Sequence, residues 1–234
     1  MEIRNIIILL YLYKNITILK TYNHMENILY IFFTHQNNIN NVSKRINIMM
    51  SSLNNNNYII VQGGNISNNY DKNSKILSIN CNDKYEGLPE KIIKTYKYII
   101  DSNLFSQYVH FIKLDDDMII RKLLDNKIID GIDYCGKLMF SYTGDRKWHI
   151  GKCSKNSYWN TNEYKGNYTP WCLGGYGYCL SRYAINSISV INDESYNNFA
   201  SFEDLFIATL LKKKQIDPCN IMNWQNFFIS PDHK

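Results

Sequence analysis

The spacing of apolar positions divides the chain into a regular first half and an irregular second half. Ile28-Leu29-Tyr30-Ile31-Phe32-Phe33 is a continuous apolar run, which predicts a strand buried on both faces, and Thr34-His35-Gln36 closes it with a polar loop. Across 42–53, Val42, Ile46, Met49, Met50 and Leu53 recur at helical spacing and predict a helix with one apolar side. Tyr58-Ile59-Ile60-Val61 predicts a second strand, closed by Gly63-Gly64, and Lys75-Ile76-Leu77-Ser78-Ile79 a third. Pro89 to Ile100 reads as a helix with proline in its first turn, where a missing N–H costs nothing. Tyr108-Val109-His110-Phe111-Ile112-Lys113-Leu114 predicts the next strand. Strands alternating with helices imply a mostly parallel sheet covered on both faces. Such sheets bind ligands beyond the carboxyl ends of their strands.

The second half lacks that rhythm. Residues 141–169 have no clean period and are rich in Tyr, Trp, Gly and Asn. A loop of this length is usually functional or disordered, and its aromatic residues argue against disorder. Pro170 to Ser181 reads as a glycine-rich turn entering a buried segment. Ser201 to Lys214 predicts an amphipathic helix with Phe202, Leu205, Phe206 and Leu210 facing inwards.

Residues 1–26 read as an appendage and 27–234 as one domain. The apolar run Ile6 to Tyr13 is far short of the roughly 20 residues that span a bilayer. Without a full membrane anchor, an intracellular, cytoplasmic location is favoured and a Golgi-like lumen is the alternative. Membrane association is left open.

Composition narrows the class. With 234 residues, 45% hydrophobic and 20% charged, the chain is globular, neither disordered nor fibrous. A net charge of +5 without a basic stripe, zinc-finger spacing or helix-turn-helix pattern gives no reason to expect a nucleic-acid partner. The six cysteines form no C-x-x-C pair, which argues against a structural zinc site, and Cys135, Cys172 and Cys179 lie in apolar runs as reduced, small hydrophobes.

The candidate chemistry is concentrated in Asp115-Asp116-Asp117, immediately after the Tyr108–Leu114 run. Like charges this close disfavour one another's ionisation, and a hard divalent cation removes that penalty because carboxylate oxygens are its preferred ligands. Continued strand alternation would put Asp115 and Asp117 on one side and Asp116 on the other. The competing reading is a solvated turn. The position at the carboxyl end of a parallel strand favours the metal.

Asp83-Lys84-Tyr85-Glu86-Gly87-Leu88-Pro89-Glu90-Lys91 resembles the D-x-Y-x-N-L-x-x-K segment of the β1,3-galactosyltransferase and Fringe-like glycosyltransferases. Lys113-Leu114-Asp115-Asp116-Asp117 resembles their K-x-D-D-D metal motif. Tyr134-Cys135-Gly136, Pro170 to Ser181 and Phe202-Glu203-Asp204-Leu205 resemble, in the same order, their Y-x-G, P-x-x-x-G-G-G-Y-x-L-S and E-D-V blocks. The chain departs from the pattern where Gly87 replaces the usual asparagine and Tyr176 interrupts the triple glycine.

The resemblance implies a single-domain GT-A fold, a Rossmann-like, mostly parallel central sheet flanked by helices. It also implies inverting transfer from a nucleotide-diphosphate sugar, a UDP-sugar, to a hydroxyl of a glycan or glycoprotein acceptor, with a β1,3 linkage as the family's pattern. In this implied site Asp117 and Asp115 hold Mn²⁺ or Mg²⁺, with His233 as a third ligand, and Asp116 reaches the donor's ribose. Tyr85, Lys91, Gly174 and Gly175 line the donor, and Arg45 is a further candidate for the nucleotide. Asp204 is the general base and Glu203 its fallback. Spacing alone reads Asp204 differently, as the far end of a capping box begun by Ser201. Trp148, Trp159 and Trp171 are candidates for stacking on acceptor sugars, against the commoner fate of core packing. Two rivals stand: a metal-dependent nucleotidyl or phosphoryl transferase, for which no P-loop pattern appears, and a non-catalytic glycan- or nucleotide-sugar-binding module on the same fold.

Overall fold

The computed structural model describes residues 27–140, 145–191 and 202–231. The 1–26 appendage, Ser201 and His233 lie outside the described residues. In chain order the elements are β1 (Ile28–Thr34), α1 (Ile39–Ser52), β2 (Tyr58–Gln62), β3 (Asn69–Asp71), β4 (Ile76–Ser78), α2 (Leu88–Asp101), β5 (His110–Asp115), β6 (Ile119–Ile120), α3 (Asn126–Ile129) and β7 (Tyr134–Gly136). They continue with β8 (Leu138–Met139), β9 (Trp171–Cys172), β10 (Tyr178–Ser181), α4 (Arg182–Ile188), α5 (Glu203–Lys213), β11 (Cys219–Asn220) and β12 (Phe228–Ile229).

Eight strands form one sheet in the order β11-β7-β10-β5-β1-β2-β4-β3. The neighbours β5, β1, β2 and β4 run parallel, as the alternation of strands and helices predicts. At one edge β3 pairs antiparallel with β4, and the irregular second half adds a further antiparallel part, with β10 inserted between β5 and β7. The result is a mixed, mostly parallel α/β sheet of the GT-A type.

β1 shows why the apolar run is unbroken. Leu29, Ile31 and Phe33 enter one core with Ile92, Ile93, Tyr96 and Ile99 of α2 and with the inward faces of α4 and α5. Ile28, Tyr30 and Phe32 enter the other, with Val42, Ile46 and Met50 of α1, Trp224 and Phe228. A strand at the centre of a two-faced sheet has no solvent side to leave polar.

Boundaries shift for local reasons. Lys75 is excluded from β4 because its backbone is left-handed, with φ 59°. The polar loop after β1 is a short 3₁₀ turn over Gln36–Asn38, so α1 starts at Ile39, earlier than the apolar stripe suggests. All six cysteines are free, and Cys135, Cys172 and Cys179 are buried as expected of small hydrophobes. Among the described residues, no helix is long and apolar enough to cross a membrane.

Candidate active site

The site begins with a lysine in the wrong place for a lysine. On β5 the side chains alternate, with Ile112 and Leu114 in the α1 core and Phe111 in the α2/α5 core. Lys113 shares the parity of Phe111 and is 1% exposed. Its ammonium lies 2.6 Å from Asp115 Oδ1 and 2.6 Å from Glu203 Oε1, and donates a longer bond of 3.4 Å to the carbonyl of Gly174. Burial opposes the charge, but the two carboxylates overcome it and raise the lysine's pKa.

Glu203 and Asp204 open α5. Glu203 receives Lys113 on one oxygen and the hydroxyl of Tyr178 on the other, at 3.1 Å. Burial pushes its pKa up to about 7, with Lys113 acting against the rise. Asp204 accepts the N–H of Gly174 at 2.8 Å on Oδ2 and that of Leu205 at 2.8 Å on Oδ1. Burial raises its pKa too, and the Gly174 N–H opposes the rise. The capping-box partner, Ser201, falls outside the described residues, but the Asp204 carboxylate is turned towards the glycine turn. That turn requires glycine at 174. An added Cβ would collide with Glu203 Oε1 and come within 3.2 Å of Asp204 Cβ. Gly175 is half-buried in the same 3₁₀ turn, which spans Gly174–Tyr176.

The aspartate triplet is divided differently from the alternation argument. β5 ends at Asp115, and the N–H of Met118 closes a turn onto the Asp115 carbonyl at 3.2 Å, so strand alternation does not reach Asp117. Asp115 stays on the α5 side, tied to Lys113. Asp116 accepts the hydroxyl of Thr34 at 2.6 Å, because the register pairs Phe33 with Asp115 and sets the end of β1 beside the turn. The carbonyl of Asp117 accepts from Arg45 of α1 at 3.3 Å. All three aspartates are half-buried.

A second polar hub lies at the ends of β1 and β2. Asp83 accepts the N–H of Gln36 at 2.7 Å and of Gly63 at 2.9 Å, pairs with Lys91, and has His35 Nδ1 at 3.3 Å. Burial acts against its charge, yet the Gln36 N–H and Lys91 hold its carboxyl below the usual range. Lys91 is 3% exposed and also donates to the Thr34 carbonyl at 3.0 Å. It is a buried partner of Asp83. Tyr85 is half-buried; burial raises its pKa, and the charges of Asp204, Glu203 and Asp115 add to the rise. Of the two departures from the motif, the one at Gly87 has a steric reason. A Cβ on Gly87 would strike the carbonyl of Asn82. Tyr176 has Lys137 Nζ 3.6 Å from its ring centroid, and its carbonyl receives the Trp224 indole N–H at 2.8 Å.

The long loop is ordered by its aromatics, with 145–169 described. His149 is fully buried, bonded through Nε2 to the Asn162 carbonyl at 2.8 Å and packed on Trp159 and Phe202. Trp171 is buried and Trp159 half-buried, while Trp148 is exposed. His110 is buried within β5. Sequence reading listed Lys113 in a motif without giving it a role, and gave none to Thr34, Asp83 or Tyr178. The available signal for Lys113 was a single charge inside an otherwise apolar strand.

Whether a hard cation fits can be judged from the donors. Asp115 and Asp117 offer carboxylates on a half-buried turn, and Lys113 binds one oxygen of Asp115. Among the described residues no three His, Cys, Asp or Glu side chains come together as a closed cage. An open, carboxylate-poor site suits Mg²⁺ or Mn²⁺ bound jointly by protein and diphosphate, and does not suit a structural metal. The residues fit on those terms. A family model described as Galactosyltransferase matches residues 62–222, which takes in the Asp83–Lys91 segment, the aspartates, the glycine turn and the Glu203-Asp204 pair. No curated protein matches the chain.

Proposed function

The chain belongs to the galactosyltransferase family, and we propose that it is a metal-dependent, inverting glycosyltransferase using a UDP-sugar. Membership makes it a glycosyltransferase with a nucleotide-sugar donor and a glycan acceptor; the metal, the uridine nucleotide and the inversion are the further reading. One observation carries it: Lys113 joins the last residue of β5, Asp115, to Glu203 at the acidic start of α5, so one buried cation ties the donor-side carboxylate to the residue next to the candidate base.

In this reading Asp204 is the general base. Its carboxylate is oriented by two backbone N–H groups, and burial makes it a stronger base than an exposed aspartate. The acceptor oxygen attacks the anomeric carbon as its proton passes to Asp204, and the bond to the diphosphate breaks with its electron pair on the leaving oxygen. Glu203 is the fallback: its oxygens are held by the Lys113 ammonium and the Tyr178 hydroxyl, whereas those of Asp204 accept only from backbone N–H groups. Asp115 and Asp117 would hold the cation, which supplies charge neutralisation at the leaving diphosphate. Asp83 and Lys91 brace the loop after β1, and Gly174 sets the acids at their angle. The test is a panel of nucleotide sugars incubated with and without Mn²⁺. Mn²⁺-dependent release of UDP, with inversion at the anomeric carbon, supports the proposal. Metal-independent release, or turnover only of a nucleotide without a sugar, overturns it.

A further inference from the structure

Cys219, Cys135 and Cys179 stand in one row across three neighbouring strands. Cys179 of β10 is in register with Cys135 of β7, and Cys135 is in register with Cys219 of β11. Residues in register on adjacent strands carry their side chains on the same face of a sheet. The packing agrees. Cys135 and Cys179 both lie in the core with Trp224 and Phe228, and Ile221, two residues beyond Cys219, packs against that same core. The three thiols are free but differ in access. Cys135 and Cys179 are each 1% exposed, while Cys219 is exposed.

A buried cysteine is accounted for as a small hydrophobe, but an exposed one in line with it is not. A small reagent can reach Cys219 and not its neighbour. Adjacent strands lie about 4.8 Å apart, inside the roughly 4.4–6.8 Å between Cα atoms that a disulfide spans. β11 is the last strand of the sheet and two residues long. It is held alongside β7, since the N–H of Ile221 donates to the Gly136 carbonyl at 3.1 Å and that of Leu138 to Asn220 Oδ1 at 3.2 Å. A short strand at an edge can still make the small shift that brings two Cβ atoms to the roughly 3.5–4.5 Å of a disulfide.

We propose that Cys219 and Cys135 form a thiol–disulfide exchange site for low-molecular-weight disulfides of the glutathione type, with Cys219 reacting first and Cys135 resolving the product. The Cys219 thiolate attacks one sulfur of the reagent, whose S–S bond breaks and expels one thiolate. Cys135 then attacks Cys219 Sγ, forming the Cys135–Cys219 bond and expelling the second thiolate. The two protons given up by the cysteines go to the two leaving thiolates. Two protein thiols are thereby oxidised while one small disulfide is reduced to two thiols. The new bond staples the edge strand that follows α5 to β7, independently of the chemistry at the acids.

The experiment uses the full chain, reduced and then treated with glutathione disulfide, with alkylation of the remaining thiols and peptide mass mapping. The expected product is one chain cross-linked between Cys135 and Cys219, reversed by dithiothreitol, with Tm raised by about 5 °C or more because the closed loop is long. C219S, a surface change, is expected to prevent both adduct and cross-link. C135A, checked for an unchanged circular dichroism spectrum, is expected to keep glutathione on Cys219 as a lasting mixed disulfide. The proposal is overturned if the unsubstituted protein also keeps that mixed disulfide with Cys135 free, or if Cys219 does not react. A cross-link that omits either cysteine, or that joins Cys219 of two chains, overturns it equally. A Cys135–Cys219 cross-link without a rise in Tm overturns the stapling of β11.

Discussion

Glu203 Oε1 lies 2.6 Å from Lys113 Nζ across 90 residues of sequence. The contact closes the molecule's functional end, because the same ammonium also holds Asp115. A buried ion pair gives little net stability in itself, but removing one partner strands the other without water or a counter-charge. The predictions follow from that asymmetry and from the geometry around it.

Lys113→Met should destabilise the protein by about 3–5 kcal/mol, the usual cost of leaving a buried charge unpaired. Adding Glu203→Gln to it should return part of that loss. Chemical denaturation of the two single variants and the double variant measures the coupling. Additive effects would mean that the pair does not interact as the distance implies.

The Glu203 carboxyl titrates at about 7 in the fold against 4.5 for an unperturbed glutamate, burial being the main cause. Between those pH values the native state binds more protons than the unfolded one, so this group's contribution to stability falls as pH rises from 4.5 towards 7 and is level above. Urea midpoints across that window should show the fall in the unsubstituted protein and not in Glu203→Gln. Equal slopes would place the titration elsewhere.

Asp204→Asn should leave UDP-sugar binding intact and lower transfer by about 10²–10⁴-fold, the usual contribution of a positioned base. Separate measurement of kcat and donor affinity decides this. If Glu203→Gln is the more damaging of the two for kcat, the base is Glu203.

Asp117→Ala should remove the Mn²⁺ dependence of UDP binding in calorimetry, since its carboxylate is one of the two proposed for the cation. Binding that keeps its full metal dependence would reassign the site to the other carboxylates.

Gly174→Ala should disturb both acids at once, because the new methyl meets Glu203 Oε1 and the Asp204 side chain. A displacement of about 1 Å at the reacting groups costs roughly 10²-fold in rate. Transfer assays on a variant with an unchanged circular dichroism spectrum would register it, and an unaffected kcat would mean that the turn can yield.

Sequence alone carried the parallel core of the sheet and the order of the family's blocks. The Ile28–Phe33 run, the helical stripe beginning at Val42 and the proline-led helix at Leu88–Asp101 are local patterns, and a two-faced sheet leaves such runs few other folds. It also singled out the aspartates, since three adjacent like charges after an apolar strand are conspicuous without any structure. Tertiary structure decided how those charges are used. Whether Lys91 faces a ligand or Asp83 depends on the loop after β1 folding back over it. The turn that ends β5 at Asp115, and not at Asp117, is a backbone event that side-chain alternation does not encode. The antiparallel insertion of β10 and the approach of α5 bring Gly174, Tyr178 and Glu203 to Lys113. Local spacing reveals which residues share a face, but a buried charge has meaning only through distant partners, and those are chosen by packing.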